Sequence, residues 1–164
     1  FSARYSLDTE EVFGRDFGRL NYSISGLWLL DQQSFLNSAD PSVFVENAST
    51  QTFPRVRFNS TLSWSPNDTV RVSWNLNWQT AQDSVFLRNV GANGDQRPLD
   101  TYNTGDFAVH DFTVNWKVND QLDLRAGVTN AFDAEQPRYL GTGILDNYDP
   151  YGTRFNIGLN FHPF

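Results

Sequence analysis

Apolar and polar residues alternate with a period of two along most of this chain, and no stretch carries a convincing helical period. Phe1, Ala3, Tyr5 and Leu7 share one face of a first strand, opposite Ser2, Arg4, Ser6 and Asp8. A second strand sets Leu20, Tyr22, Ile24, Trp28 and Leu30 against Arg19, Asn21, Ser23 and Ser25. A third sets Val56, Phe58, Leu62 and Trp64 against Arg55, Arg57, Asn59, Thr61 and Ser63. The fourth sets Val70, Val72, Trp74, Leu76 and Trp78 against Arg71, Ser73, Asn75, Asn77 and Gln79. The fifth, over about 105–118, carries Phe112, Val114, Trp116 and Val118 on one face. Phe107 and Val109 are out of phase with that set, and a bulge near His110 and Asp111 is expected to reconcile them, since one extra residue flips the facing. Leu122, Leu124, Ala126 and Val128 predict the sixth strand, and Phe155, Ile157, Leu159 and Phe161 the seventh.

The connections alternate in length. Ser65 to Asp68 and Asn119-Asp120 read as tight turns, whereas the segments near 31–52, 80–104 and 133–152 are each about 20 residues. Asp8 to Phe17 is intermediate and belongs with the short side. Short turns at one end and long loops at the other are how outer-membrane barrels are built. Strand length agrees: several runs reach about 11–14 residues, while soluble strands are mostly about 5–6 and a tilted membrane strand needs about 9–11. The chain ends on a strand after a long loop, which puts its C-terminus on the short-turn, periplasmic side and residue 1 near the long loops. Seven strands leave an open edge that cannot face lipid, and bacterial single-chain barrels have even strand counts. The expectation is the C-terminal part of a larger barrel, or a cylinder that another chain completes.

Composition narrows the alternatives. A charge of −7, from 12 basic and 19 acidic residues, argues against nucleic acid as a partner. With no cysteine there is no disulfide, thiol nucleophile or Cys-based metal site. No stretch approaches the roughly 20 apolar residues of a membrane helix, and no signal peptide is visible. The mean hydropathy of −0.49 does not exclude a membrane, because alternating strands average out. Aromatic residues make up 15% of the chain, and Trp and Phe recur near strand ends, where interfacial girdles sit. Methionine is absent even at position 1, so the chain is expected to start inside a longer or processed sequence.

Two motifs carry a family resemblance. Leu124 to Asp133, LRAGVTNAFD, resembles the penultimate-strand motif of TonB-dependent receptors, in which a Gly-Val-x-Asn-x-Phe-Asp run leaves the membrane for a loop. Tyr148 to Phe161, YDPYGTRFNIGLNF, resembles the final-loop and last-strand motif of the same family, and Pro54-Arg55 opening a strand after a polar loop fits as well. The strong match covers roughly 45 residues and a looser one about 110. The resemblance implies an all-β fold: an antiparallel transmembrane β-barrel segment of a cylinder of about 22 strands, filled by a plug that lies outside this chain. It implies active uptake of a scarce ligand, a ferric siderophore, cobalamin, haem or a saccharide, driven by the TonB complex through an N-terminal segment also outside the chain. Family members end on aromatics in phase with a terminal Phe. Here Phe161 and Phe164 are three apart with Pro163 between them, so Phe164 falls past the strand proper. The resemblance still implies Phe164 as the residue read by the outer-membrane assembly machinery.

Candidate chemistry is sparse. His110 and Asp111 are the one His-acid neighbour pair, but adjacent strand residues point to opposite faces, so no catalytic residue is assigned. Asp146-Asn147-Tyr148-Asp149 offers oxygens for calcium without the spacing of a calcium loop, and an Asx-rich turn is preferred. Asp95, Asp100 and Asp106 read the same way, and neither a metal nor a cofactor is expected. Arg55, Arg57, Arg71, Arg125 and Arg154 alternate with apolar residues and should face a lumen. They form either a basic wall that guides an anionic ligand or, the preferred reading, salt bridges to Asp123 and other lumenal or plug carboxylates. Trp64, Val72, Trp74, Leu76, Trp116, Leu124, Phe155, Ile157, Leu159 and Phe161 are expected to face lipid. Phe44, Phe86, Tyr102 and Tyr139 on the long loops are the candidates for contact with a small-molecule ligand. The competing readings are a passive porin-type barrel, a membrane-barrel enzyme, for which no nucleophile-base set is found, and a soluble carbohydrate-binding β-sandwich.

Overall fold

The computed structural model describes residues 1–35, 37–50, 52–83, 103–137 and 148–163. Its principal strands are β1 (Ser2–Asp8), β2 (Arg19–Trp28), β5 (Val56–Ser65), β6 (Val70–Gln79), β7 (Phe107–Asn119), β8 (Leu122–Thr129) and β9 (Arg154–Phe161). They form one antiparallel sheet in the order β1-β2-β5-β6-β7-β8-β9, so each pairs with the next in the chain. The expectation of an all-β, antiparallel architecture holds. Between β2 and β5 the chain adds a two-stranded hairpin, β3 (Gln33–Phe35) with β4 (Phe44–Glu46).

The register explains why alternation settles the architecture. Leu7, Leu20, Trp64, Val72, Val114, Ala126 and Ile157 are successive cross-strand partners in one row from edge to edge. Arg4, Ser23, Thr61, Asn75 and Asp111 make the matching row on the opposite face. A slip of one residue at any pair would mix the two sets, so the patterning pins every register. Trp64, Val72, Trp74, Leu76, Trp116, Leu124, Phe155, Ile157, Leu159 and Phe161 all lie on the apolar face. Phe155 and Ile157 are each 83% exposed on it. An apolar face this wide does not persist in water without a covering.

The sheet departs from the sequence reading at one strand. Pairing of β6 with β7 runs unbroken from Gln79↔Phe107 to Val70↔Trp116, so no bulge forms near His110 and Asp111. Phe107 and Val109 instead point to the polar face, and His110 stands on the apolar one. Trp74 makes this possible: its Nε1 donates to His110 Nδ1 at 3.0 Å, and the two rings stack at 5.7 Å. With its acceptor nitrogen engaged, the imidazole needs no turn toward the polar side. The register shift that does occur lies between Lys117 and Asn119, next to the β7–β8 turn.

The connection from β1 to β2 holds a helical turn, α1 (Thr9–Phe13), which period-two patterning hides. Asp8 is its N-cap and accepts from the Glu10 amide, while Gly14 closes it in the left-handed region at φ 65°. Gly18 follows at φ 88°, with its α-carbon so near the β5–β6 turn that a β-carbon would stand 1.9 Å from the Ser65 carbonyl oxygen. Trp64 Nε1 donates to the Phe17 carbonyl at 2.7 Å and ties the connection down on the other side. Both glycines hold a positive φ, but only Gly18 lacks space. Gly14→Ala should therefore cost about 1 kcal/mol of unfolding free energy. Gly18→Ala should cost about 2 kcal/mol or more, because steric conflict adds to backbone strain. Equal losses in denaturant titrations would contradict the close approach.

Candidate functional site

The polar face is a ladder of small amide and hydroxyl groups. Asn59 Nδ2 donates to the Oδ1 atoms of Asn75 and Asn77 at 2.9 and 2.7 Å, Thr61 Oγ1 donates to Asn75 Oδ1 at 2.9 Å, and Ser63 pairs with Ser73 at 2.9 Å. These cross-strand bonds satisfy the centre of the face without ionised groups. Charge lies at its ends. At the turn end, Arg19, Arg71, Lys117 and Arg125 share an open basin with Asp8, Asp16 and Asp123. At the loop end, a cavity of about 660 Å³ is lined by Leu27, Arg57, Asn77, Gln79, Phe107 and Asp111, among others.

The arginines separate by partner. Arg55 donates to the Leu30 carbonyl at 2.9 Å and to Ser49 Oγ at 3.2 Å, so it braces a loop base. Arg71 reaches Ser65 Oγ at 3.3 Å. Arg154 pairs with Asp149 and lies over the Tyr151 ring. The proposed bridge from an arginine to Asp123 is absent among the described residues: His162 Nε2 stands 3.1 Å from that carboxylate instead. His162 directly follows β9, its amide donates to the Gln121 carbonyl at 2.8 Å, and this brings the imidazole to Asp123. The guanidinium groups of Arg57 and Arg125 have no hydrogen bond or ion pair among the described residues.

Above the cavity, the three long connections are tied at one point. Gln82 is 0% exposed. Its Oε1 accepts from the Thr52 amide at 2.9 Å, its Nε2 donates to the Tyr148 hydroxyl at 2.9 Å, and its own amide donates to Thr104 Oγ1 at 2.9 Å. The Tyr148 hydroxyl in turn donates to Thr104 Oγ1 at 3.0 Å, and its ring packs edge-on against Phe107 at 4.8 Å. Two isolated bridges, Thr50 with Asp83 and Asp83 with Asn103, run beside this node. The deepest burial among the described residues thus lies under the loops (Gln82, Asn130 and Thr50) rather than in the sheet.

Asn130 makes a second tie where β8 leaves the sheet. At φ 51° it exchanges bonds with Ala134, accepting from its amide at 2.7 Å and donating to its carbonyl at 3.0 Å. Its carbonyl accepts from Thr153 Oγ1 at 2.7 Å, just before β9. Asp133, also at positive φ, accepts from the Thr153 amide at 3.1 Å. Phe132 turns outward and packs edge-on against His110 and Phe112. The Asn, Phe and Asp of the penultimate-strand motif therefore close the base of a loop. Asp111 accepts from the Asn130 amide at 2.8 Å on the face opposite His110, so these two neighbours form no relay.

Of the loop aromatics, Phe44 lies in β4, exposed, with Phe35 at 6.3 Å between ring centres. Phe86, Tyr102 and Tyr139, together with Asp95, Asp100, Asp146, Asn147 and the terminal Phe164, lie outside the described residues. Asp149 accepts from the Tyr151 amide at 2.9 Å, an Asx turn, and Asp106 accepts from the Ala81 amide at 2.9 Å. Sequence reasoning missed Gln82 and Thr104, and it placed Gln79 on the polar face without a role in a site. Each is one polar residue near a loop boundary, and only the fold brings their partners within reach.

No protein-family model and no curated protein matches the chain at significance. Its fold is an antiparallel sheet of seven strands in chain order. Solved structures of variants of the ferric enterobactin receptor PfeA from Pseudomonas aeruginosa share it. One, in complex with enterobactin, superposes with a TM-score of 0.58 at 20% identity over 98% of this chain. Two others give 0.53, at 17% and 16% identity, again over 98% of this chain. The chain spans 22% of the first receptor and 21% of the others, about a fifth of their length.

The node makes a definite expectation. Gln82→Ala removes the side-chain acceptor of the Thr52 amide and one of the two hydrogen bonds of the Tyr148 hydroxyl, a loss of about 1–3 kcal/mol. Amide exchange at Thr52 should then accelerate by about 10- to 100-fold, whereas unchanged protection would show that the loops hold together without it. A second expectation concerns Glu46, in β4 of the loop hairpin. The amides of Gln32 and Ala48 donate to its carboxylate at 2.9 and 2.8 Å and hold its pKa below the ordinary 4.5. A lowered pKa means that the ionised form supports the fold. Protection of those two amides should be complete above about pH 4.5 and lost as the pH falls through the lowered value. Glu46→Gln should remove that pH dependence from their exchange rates.

Proposed function

We propose that this chain is the C-terminal wall of a TonB-dependent outer-membrane receptor for a ferric siderophore-type ligand. The observation that carries the reading is the sheet's two-sided character. A largely apolar face, which also carries Ser60 and His110, and an amide-lined polar face share one register over seven strands, and the long connections all leave from one end. The fold shared with the ferric enterobactin receptor supports it, as do the two motifs near the end of the chain. In this reading the apolar residues touch the lipid bilayer of a Gram-negative outer membrane. The polar face holds the plug and lines the ligand's path, and the loops receive the ligand outside the cell. The chain performs no covalent chemistry and binds no nucleic acid. The TonB complex acts through a segment of the whole protein outside this chain, and Phe164 is read by the assembly machinery. A soluble sandwich is disfavoured because its aromatic side would be packed against a second sheet, while here Trp28, Tyr5 and Ile157 are widely exposed.

Two measurements test the proposal. Ile157→Arg should sharply reduce the folded protein recovered in outer-membrane fractions, because an arginine at the lipid midplane costs about 2–4 kcal/mol. Asn156→Arg, one residue away on the polar face, should assemble normally, and equal tolerance at the two positions would contradict the facing. Cells carrying the full-length protein should accumulate a radiolabelled ferric siderophore only with a working TonB complex. Uptake independent of TonB would favour a passive porin-type barrel.

A further inference from the structure

We infer that Arg57 and Gln79 form a binding site for a single carboxylate in the cavity at the loop end of the polar face, an inference that rests on the receptor reading above. The two residues are direct partners across β5 and β6. Side chains so placed on one face have β-carbons about 4.5–5.5 Å apart, so their ends can share one small group. Both present donors that the chain leaves unused. The Arg57 guanidinium has no hydrogen bond or ion pair among the described residues. Gln79 is 8% exposed, and its Nε2 is buried without an acceptor. A buried amide donor left unpaired is uncommon and calls for a partner.

The surroundings show why this pair stands out. The row beneath it is complete in itself, because Asn59 donates to both Asn75 and Asn77. The carboxylates that line the same cavity are already engaged, Asp111 by the Asn130 amide and Asp149 by Arg154 and the Tyr151 amide. On either side of the pair, the cross-strand partners are Leu27, facing Arg57, and Phe107, facing Gln79. Two apolar neighbours lower the local polarity, which strengthens a charge-assisted bond.

The charge selects the ligand. The pair contributes one positive charge, and Asp111 and Asp149 lie along the same cavity. A doubly charged oxyanion such as phosphate would be repelled, while one carboxylate takes bonds from both side chains and leaves no excess charge. That carboxylate comes either from a small molecule entering between the loops or from an acidic side chain elsewhere in the complete receptor.

The test uses the full-length receptor in detergent, with benzoate as the probe and phosphate as the control. The variants are Arg57→Met and Gln79→Met, which keep the side-chain volume and remove the donors. If the carboxylate arrives with a small molecule, the parent protein binds benzoate in preference to phosphate. Each variant then weakens benzoate binding by about 10- to 100-fold, with no loss of thermal stability. If it belongs to the receptor, benzoate does not bind, and each variant lowers the melting temperature with no anion added. Either result supports the site. The inference is overturned if melting temperatures stay unchanged or rise with Gln79→Met while anion binding is absent, unselective or insensitive to both variants. None of these readouts depends on TonB or on uptake, so a failure to transport siderophore would strike the receptor proposal and leave this measurement intact.

Discussion

Every backbone N–H and C=O inside a hydrocarbon layer must find its partner within the protein, because no water is there to supply one. In the proposed receptor, that constraint accounts for the shape of this chain. A strand meets it only when paired on both sides, and neighbour-to-neighbour antiparallel pairing does so with the shortest connections. β2, β5, β6, β7 and β8 are paired on both edges, while β1 and β9 each leave one edge free. Those edges are where, in the proposed receptor, the rest of the cylinder must join. Side chains then have only two places to go, and the period of two sends alternate residues to each.

The consequence is a protein whose tightest packing lies away from its sheet. Burial of apolar surface between layers, the usual source of stability, is slight among the described residues, where Ala48, Val109 and Tyr148 are the buried apolar side chains. The hydrogen-bonded ladder of Asn59, Asn75, Asn77 and Thr61 stiffens one face, and aromatic stacking of Phe58 with Trp78 and of Trp74 with His110 stiffens the other. Burial concentrates at Gln82, Asn130 and Thr50, where long connections return to the sheet. Three loops that would otherwise each lose much conformational entropy share one set of contacts, and a polar node is well suited to that because its bonds are directional.

The strands were legible because alternation is a local signal that register then repeats across the sheet. Phe107 and Val109 show its limit. Read alone, apolar residues look as if they belong with Phe112 and Val114, and the simplest repair is a bulge. In the fold they line the cavity beside Gln79 and Tyr148, and His110 takes the vacated outer position because Trp74 accommodates it. The facing of Arg57, Arg71 and Arg125 was readable from the same period, but their partners were not. Asp123 lay near in pattern, whereas His162 reaches it in space. The α1 turn, the β3–β4 hairpin and the Gln82 node left no period to read. The first is held by an N-cap and Gly18, the second by Glu46, and the third by residues 22 to 66 positions apart. The penultimate-strand motif was recognisable by resemblance alone, and its physical meaning emerges from the bonds of Asn130 and Asp133.

The central claim is that hydrocarbon covers one face of this sheet and water or protein the other. Because the chain has no cysteine, single cysteines placed in turn at Val72, Ser73, Trp74, Asn75, Leu76 and Asn77 are unique within it. Spin labels at these positions, with the full-length protein in liposomes, report collision with oxygen, which concentrates in lipid, and with a water-soluble nickel chelate. The account predicts oxygen access at 72, 74 and 76, and low oxygen access at 73, 75 and 77. Uniform access along β6, or nickel access at Trp74 with oxygen excluded, would contradict it.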